Sequence, residues 1–244
     1  MKQSVFKIVC NTALTDCVYK MVLAGDTSAI TAPGQFVNIR LAGMFLRRPI
    51  SVCDYDEHTL TIIYKTVGKG TEAMGRMVPG TELDILTGLG NGYDLTVSGD
   101  APVLIGGGVG VPPMYNLAKK LITQGKNVSV ILGFNTNSEI FYEEEFQKLG
   151  CNVRVTTVDG SYGVKGFVTD VLPEHYTYFY ACGPEPMLKA VYCASRTSGQ
   201  MSFEKRMGCG FGACMGCSCR TITGYKRICK EGPVMRKEEI LWEN

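Results

Sequence analysis

A chain of 244 residues with 45% hydrophobic side chains has the length for about two domains and the material for a full core, so neither a disordered segment nor a small stapled scaffold describes it. Its 25 basic and 23 acidic residues are interspersed and leave a net charge of +2, which argues against a nucleic-acid partner or an anionic membrane surface. No apolar run approaches the roughly 18 residues that span a bilayer, and the N-terminal MKQSVFKIVCNTALTD lacks the apolar core of a secretory signal, so a soluble, cytoplasmic protein is expected.

Residues 1 to about 98 read as all-β. VFKIV, VYKMVLAG, QFVNIRLA, LTIIYKTVG and ELDILTGLG are short runs with alternation or β-branched enrichment, separated by Gly, Pro and Asp turns. Together with Leu46–Val52 they predict about six strands and a closed antiparallel barrel. GTEAMGRMV is the one helical interruption, with Thr71 as its expected N-cap and Pro79-Gly80 as its stop. Arg47 and Arg48 enter an apolar strand, and Pro49 removes a ladder donor. A guanidinium there can take a diphosphate through paired hydrogen bonds, and Ser51 can offer its hydroxyl to the edge of a flavin ring. The plainer reading of the same stretch is an exposed edge strand. Lys69-Gly70-Thr71, at the start of the helix, is a second anion site by the helix-dipole argument.

From Ala101 to about position 200 the pattern changes to strands alternating with helices, which predicts a parallel sheet with helices on both faces. APVLIGG, NVSVILGF, NVRVTTVDG and YTYFYACG are the strands. PPMYNLAKKLITQG, SEIFYEEEFQKLG and PEPMLKAVYCASRTSG are the helices. Gly106, Gly107, Gly108, Val109 and Gly110 follow a strand and open a helix, where backbone can approach a diphosphate and the helix N-terminus adds partial positive charge. The loop is not the strict G-x-G-x-x-G fingerprint, and a tight turn in an ordinary α/β domain is its bland alternative. Cys182, Gly183 and Pro184 form a second strand-to-helix loop at the same sheet edge, where open α/β sheets bind ligands. Cys182 is either buried packing or a wall of a nicotinamide pocket. The loop from Gly133 to Glu139 contains one acid and no Arg or Lys, which favours NADH over NADPH because a 2′-phosphate calls for a cation.

After about Phe203 the chain becomes cysteine-rich. Cys209, Cys214 and Cys217 give C-x4-C-x2-C, and Cys229 follows after an 11-residue gap. That is the plant-type spacing of a [2Fe–2S] cluster. Gly208, Gly210, Gly212 and Gly216 let the loop curl so that backbone N–H groups face the anionic cluster. Cys219 is surplus. Structural zinc usually shows paired C-x-x-C units, and only Cys214/Cys217 form one cleanly. Eleven cysteines with no signal peptide argue against a disulfide scaffold.

Arg48-Pro49-Ile50-Ser51, the Gly106 loop and Cys182-Gly183-Pro184 resemble the flavin and nucleotide elements of the ferredoxin–NADP reductase superfamily. With the cysteine segment and Cys229-Lys230-Glu231-Gly232-Pro233-Val234, the whole chain resembles the family of electron transfer subunits of NAD-dependent dihydroorotate dehydrogenase, type B. The resemblance implies a multidomain chain: an FAD-binding antiparallel barrel over 1–98, an NAD-binding α/β domain over 101–200 and a small [2Fe–2S] domain over 203–244. It implies that Arg48, Pro49, Ile50, Ser51, Ile63, Tyr64, Lys65, Gly70 and Thr71 hold FAD, and that Cys209, Cys214, Cys217 and Cys229 hold the cluster. It implies electron transfer from the FMN of a dihydroorotate dehydrogenase catalytic subunit to NAD in pyrimidine biosynthesis, in a heterotetramer of two chains of each kind. No catalytic acid, base or nucleophile is expected on this chain. Ile50 stands where many of the reductases carry Tyr, so the flavin face needs another cover. The alternatives are a sibling subunit serving a hydrogenase, a sulfite reductase or a ferredoxin–NADP transhydrogenase, and a non-catalytic metal-binding sensor of nucleotide or redox state.

Overall fold

The computed structural model describes residues 1–242. Six strands, β1 (Lys2–Ala13), β2 (Val18–Ala24), β3 (Phe36–Ile39), β4 (Arg48–Tyr55), β5 (Thr59–Lys65) and β6 (Glu82–Leu89), close into an antiparallel barrel in the order β1-β2-β5-β4-β3-β6. Alternation decides which side chains fill it. Phe6 and Ile8, Met21 and Leu23, Val37 and Ile39, Leu60 and Ile62 point inward, all at most 2% exposed. On β3 the other register, Phe36 and Asn38, is also buried, because another part of the chain covers it.

Helix α1 (Lys69–Gly75) connects β5 to β6. Its N-cap is Gly68, not Thr71, which corrects the sequence expectation. Thr71 sits a turn inside, and its hydroxyl accepts from the Val67 N–H at 2.9 Å and donates to the Gly68 carbonyl at 3.2 Å. A threonine can close a helix start from inside the first turn as well as from the cap, and sequence spacing alone does not separate the two.

The second lobe contains β7 (Val103–Gly107), α2 (Val111–Thr123), β8 (Ser129–Phe134), α3 (Glu143–Lys148), β9 (Asn152–Thr157), β10 (Val164–Lys165), β11 (Phe179–Cys182), α4 (Glu185–Ala194) and β12 (Gly199–Ser202). The six strands are parallel in the order β10-β9-β8-β7-β11-β12. Both faces are covered. Leu104, Val130, Leu132 and Tyr180 pack with α2 and Phe146, whereas Ile105, Ile131, Phe179 and Ala181 pack with Leu188 and Val191 of α4. The helix expected over 138–150 is only the six residues of α3. Phe141 and Tyr142 turn into an aromatic cluster with Phe134 and Tyr115, and Tyr142 adopts φ 69° to do so, which stops the helix from starting earlier.

The cysteine segment forms a hairpin, β13 (Ser218–Thr221) with β14 (Gly224–Arg227), and then returns to the sheet. Strand β15 (Val234–Arg236) adds antiparallel to β12, so the sheet is parallel except for this seventh, edge strand. The lobes are joined through α2: Asn116 donates to Asp54 at 2.7 Å, Lys119 pairs with Asp54 at 2.8 Å, and Cys53 and Ile63 of the barrel share a core with Val111 and Met114. Among the described residues, no helix is long and apolar enough to cross a membrane.

Candidate functional site

The strand order reverses at β7, with β8 on one side and β11 on the other, and the two nucleotide-loop candidates meet there. Gly106 pairs with Cys182 across the sheet. A Cβ on Gly110 would lie 2.2 Å from the Cys182 carbonyl oxygen, and one on Gly107 would lie 2.4 Å from Met187 Sδ, so both positions require glycine for closeness of approach. The loops thus form one continuous backbone edge.

That edge faces a cavity of about 370 Å³ between the barrel and the sheet. Arg48, Pro49, Ile50, Ser51, Ile63, Tyr64, Lys65 and Thr71 line it from the barrel, and Val109 and Cys182 from the sheet. Gly70 is buried beneath Arg48: a Cβ there would lie 2.1 Å from Arg48 Nε, so the glycine admits the guanidinium to the start of α1. Gly106, Gly107, Gly108, Gly110, Gly183 and Pro184 do not line this cavity and flank it at the switch point. The Tyr64 hydroxyl donates to Asn11 at 2.9 Å and its ring stacks on Tyr19 at 5.9 Å, so its phenol is engaged away from the cavity. Lys65 lies 3.8 Å from Glu139, a cation beside the 133–139 loop that the loop's own composition does not reveal, already balanced by the acid. Glu139 in turn accepts from the Asn135 side chain at 2.9 Å.

Burial pushes the Cys182 thiol up to about 12, with the negative charge of Glu204 adding to it and the Ser202 hydroxyl opposing. It is a neutral, packed wall rather than a nucleophile. Glu204 also lines the cavity, and desolvation there raises its carboxyl above the usual range. Phe36, Val67, Ser202, Phe203, Lys205, Met207 and Pro233 also line the cavity; no motif marked Phe36 or Val67, and the segments holding the others were singled out for the cluster and not for this cavity. The signal for Ser202 and Phe203 was their place at the carboxyl end of a strand in the same sheet.

The four cysteines form two pairs. Cys217 and Cys229 lie Sγ to Sγ at 3.2 Å and are 2% exposed, and the Cys229 N–H donates to Cys217 Sγ at 3.4 Å. Cys209 and Cys214 face each other through reciprocal N–H to Sγ contacts of 3.4 and 3.5 Å, and the Ala213 N–H donates to Cys209 Sγ at 3.2 Å. Burial disfavours the Cys209 thiolate, but the N–H groups of Phe211, Cys214 and Ala213 outweigh it and bring the thiol down to about 6. Burial and the neighbouring Cys217 push Cys229 the other way. Among the described residues no group of three or more potential ligands is gathered on one point, and the four thiols stand as two pairs. Two dithiol pairs in a nest of inward N–H groups fit a centre with two irons, each taking one pair. Cys219 stands apart on β13, half-buried, with its thiol raised by burial.

The turns of this loop are set by glycine. Gly210 has φ 77°, and a Cβ on it would lie 2.3 Å from Asn38 Nδ2. Asn38 is 1% exposed and donates to the Cys209 carbonyl at 3.1 Å, so the barrel holds the loop directly. Arg227 donates to the Gly212 carbonyl at 2.6 Å and pairs with Glu231. Cys217, Ile228 and Cys229 share one apolar core with Phe36, whose ring also lines the cavity.

A closed six-stranded barrel, a parallel sheet with its ligand edge turned to the barrel and an appended dithiol segment define an oxidoreductase of the ferredoxin reductase type carrying an iron–sulfur domain. Residues 104–192 match the oxidoreductase NAD-binding domain, and 204–241 match the iron-sulfur cluster binding domain of dihydroorotate dehydrogenase B. The chain is 42% identical to the "Dihydroorotate dehydrogenase B (NAD(+)), electron transfer subunit" of Geobacillus sp. (strain WCH70), over 99% of both chains. It is 42% identical to the protein of the same name from Fusobacterium nucleatum, over 94% of this chain and 95% of that one. Among solved structures, the NADH-dependent reduced ferredoxin-NADP oxidoreductase involved in flavin-based electron bifurcation superposes with a TM-score of 0.87 at 30% identity, covering 97% of this chain and 90% of that one. A ferredoxin NADP+ reductase from Neisseria gonorrhoeae with bound FAD and NADP shares the fold, with a TM-score of 0.69 at 17% identity over 80% of this chain and 90% of that one. The chain belongs to the family of electron transfer subunits of dihydroorotate dehydrogenase B (NAD(+)).

Proposed function

We propose that this chain carries electrons between the FMN of a dihydroorotate dehydrogenase catalytic subunit and NAD+, by way of its [2Fe–2S] cluster and FAD, in the oxidative step of pyrimidine biosynthesis. One observation carries the reading: Phe36 packs in one core with the inner thiol pair and also lines the cavity that Val109 and Cys182 reach from the sheet edge, which supports an order of cluster, flavin and nucleotide. Bound FAD supplies exchange between the two-electron hydride of NAD and the one-electron capacity of a cluster.

This chain's own residues bind and orient. Arg48, over Gly70 at the start of α1, takes the FAD diphosphate, and Thr71 holds the shape of that helix start. Pro49, Ile50 and Ser51 line the isoalloxazine site with Ile63, Tyr64 and Lys65, and Ser51 offers its hydroxyl to the ring edge. Phe203, which lines the cavity just beyond β12, would be the aromatic cover that Ile50 does not supply. Gly106 to Gly110 and Gly183-Pro184 take the NAD diphosphate, with Val109 and Cys182 against the nicotinamide. Cys209 and Cys214 would hold one iron of the cluster, and Cys217 and Cys229 the other. We assign the flavin unit to 1–98, the nucleotide unit to 101–200 and the cluster unit to 203–244. The chain works in the cytoplasm, where a reducing medium keeps unused thiols free, and assembles as two chains with two FMN-containing catalytic subunits.

Reconstitution tests this reading. The isolated chain oxidises NADH with artificial acceptors and leaves dihydroorotate untouched, while the mixture with the FMN subunit forms NADH from dihydroorotate. Turnover of dihydroorotate by the isolated chain would contradict the assignment. The likeness to the ferredoxin-NADP oxidoreductase keeps one sibling reading in play, an NADH-linked subunit of such an enzyme. Electron exchange with ferredoxin and none with the FMN subunit would favour that reading.

A further inference from the structure

Phe45 is 101% exposed, the highest exposure of any large hydrophobic side chain among the described residues. It is displayed by construction. Its loop leaves β3 after Ile39 and is pinned at its base: Arg47 donates to the Asn38 carbonyl at 3.2 Å and to the Asp84 carbonyl at 3.0 Å. Arg48 donates to the Leu46 carbonyl at 2.6 Å, and Met44 N–H to the Leu41 carbonyl at 3.2 Å. An aromatic ring held fully out by a braced loop loses little conformational entropy on docking, which is the character of an interface anchor.

The same Asn38 that receives this loop holds the outer thiol loop through Cys209. On that loop Phe211 is 44% and Met215 54% exposed, and Met215 is kept outward in a left-handed conformation at φ 59°. The two apolar tips therefore share one anchor residue. Their charge is one-sided. Neither 40–48 nor 205–220 contains an acid; Arg40 and Arg47 are balanced by Asp84 and Lys205 by Glu185, and Arg48 lines the cavity, so the cations of these segments with no ion pair among the described residues are Arg206 and Arg220. Lys230 adds to this rim, its side chain lying where a Cβ on Gly212 would come within 2.6 Å of it.

We propose that the 40–47 loop and the Phe211/Met215 turn form one docking face for the catalytic subunit, with Phe45 filling an apolar pocket whose rim bears carboxylates. This rests on the electron-transfer reading above, under which the partner must cover the exposed thiol pair. The face extends that contact from the cluster loop onto the barrel, where apolar core and cationic rim suit a lasting, charge-registered complex.

The test uses the flavin- and cluster-loaded chain and the purified FMN subunit, with association measured by calorimetry. Phe45→Ser is expected to weaken association by about 30-fold, the scale of a lost anchor, while NADH oxidation with an artificial acceptor and the visible spectrum stay unchanged. Phe167→Ser, at a ring 62% exposed on the nucleotide lobe, is expected to change neither. Association of Phe45→Ser within twofold of wild type overturns this inference alone. Failure of the wild-type chain to associate overturns the electron-transfer reading and this inference with it. Self-association of the wild-type chain that Phe45→Ser abolishes, with binding of the FMN subunit unaffected, assigns the face to a second copy and also overturns it.

Discussion

Cys217 and Cys229 lie in an apolar core, 2% exposed, while Cys214 stands in solvent and Cys209 at its edge. The two pairs offer the same ligand chemistry and are held by different means. The inner pair is fixed by packing and by the hairpin that lies between its two cysteines, with the Ile228 N–H donating to the Cys217 carbonyl at 3.1 Å. The outer pair is fixed by glycine turns, by N–H groups aimed at sulfur and by one barrel side chain, Asn38. The difference shows how one cluster meets two demands. One side must be continuous with the flavin cavity and dry, and the other must be open to a partner.

Serine substitution of the ligands breaks the comparison most severely. Cys217→Ser and Cys229→Ser are expected to abolish iron binding, and so is loss of the outer ligands. The pairs then separate in the iron-free protein. A hydroxyl in the inner core costs about 1–3 kcal/mol, a fall in Tm of several degrees for a chain of this size, whereas Cys214→Ser leaves the iron-free melt in place. Equal melting temperatures for inner and outer variants would show that both pairs are held by the cluster alone.

Gly210→Ala tests the outer loop without touching a ligand. Its positive φ costs a non-glycine residue about 1–3 kcal/mol, and the new methyl meets the Asn38 amide. Reduced iron per chain with an unchanged flavin spectrum is the expected result, read by metal analysis. Full iron occupancy in this variant would remove Asn38 from the account of how the loop is set. The smallest effect is expected at Cys219, which belongs to neither pair: Cys219→Ser keeps two irons per chain. Loss of iron there would shift the register of the ligands through the loop.

The parts legible in the sequence were those written in local spacing. C-x4-C-x2-C, the glycine loop after β7 and the Cys-Gly-Pro turn after β11 each announce themselves within ten residues, because their chemistry needs fixed offsets along one segment. Phe36, Asn38 and Phe203 did not, since they act across the fold. Asn38 and Cys209 are 171 positions apart and Asn38 reads as an ordinary strand residue. The return of β15 to the sheet edge was invisible for the same reason: three residues carry no periodicity. The shortened α3 was hidden by helix-compatible spacing, and the demand of Phe141 and Tyr142 for the aromatic cluster overrode it.

The central claim is that nucleotide edge, flavin cavity and cluster lie in series within this one chain. Rapid mixing of the isolated, cofactor-loaded protein with NADH, frozen at intervals and followed by electron paramagnetic resonance, tests it directly. Flavin absorbance should fall first and the signal of a reduced [2Fe–2S] centre should follow, with none appearing in protein stripped of FAD. A flavin that is fully reduced by NADH while the cluster stays oxidised, in protein holding two irons per chain, would contradict it.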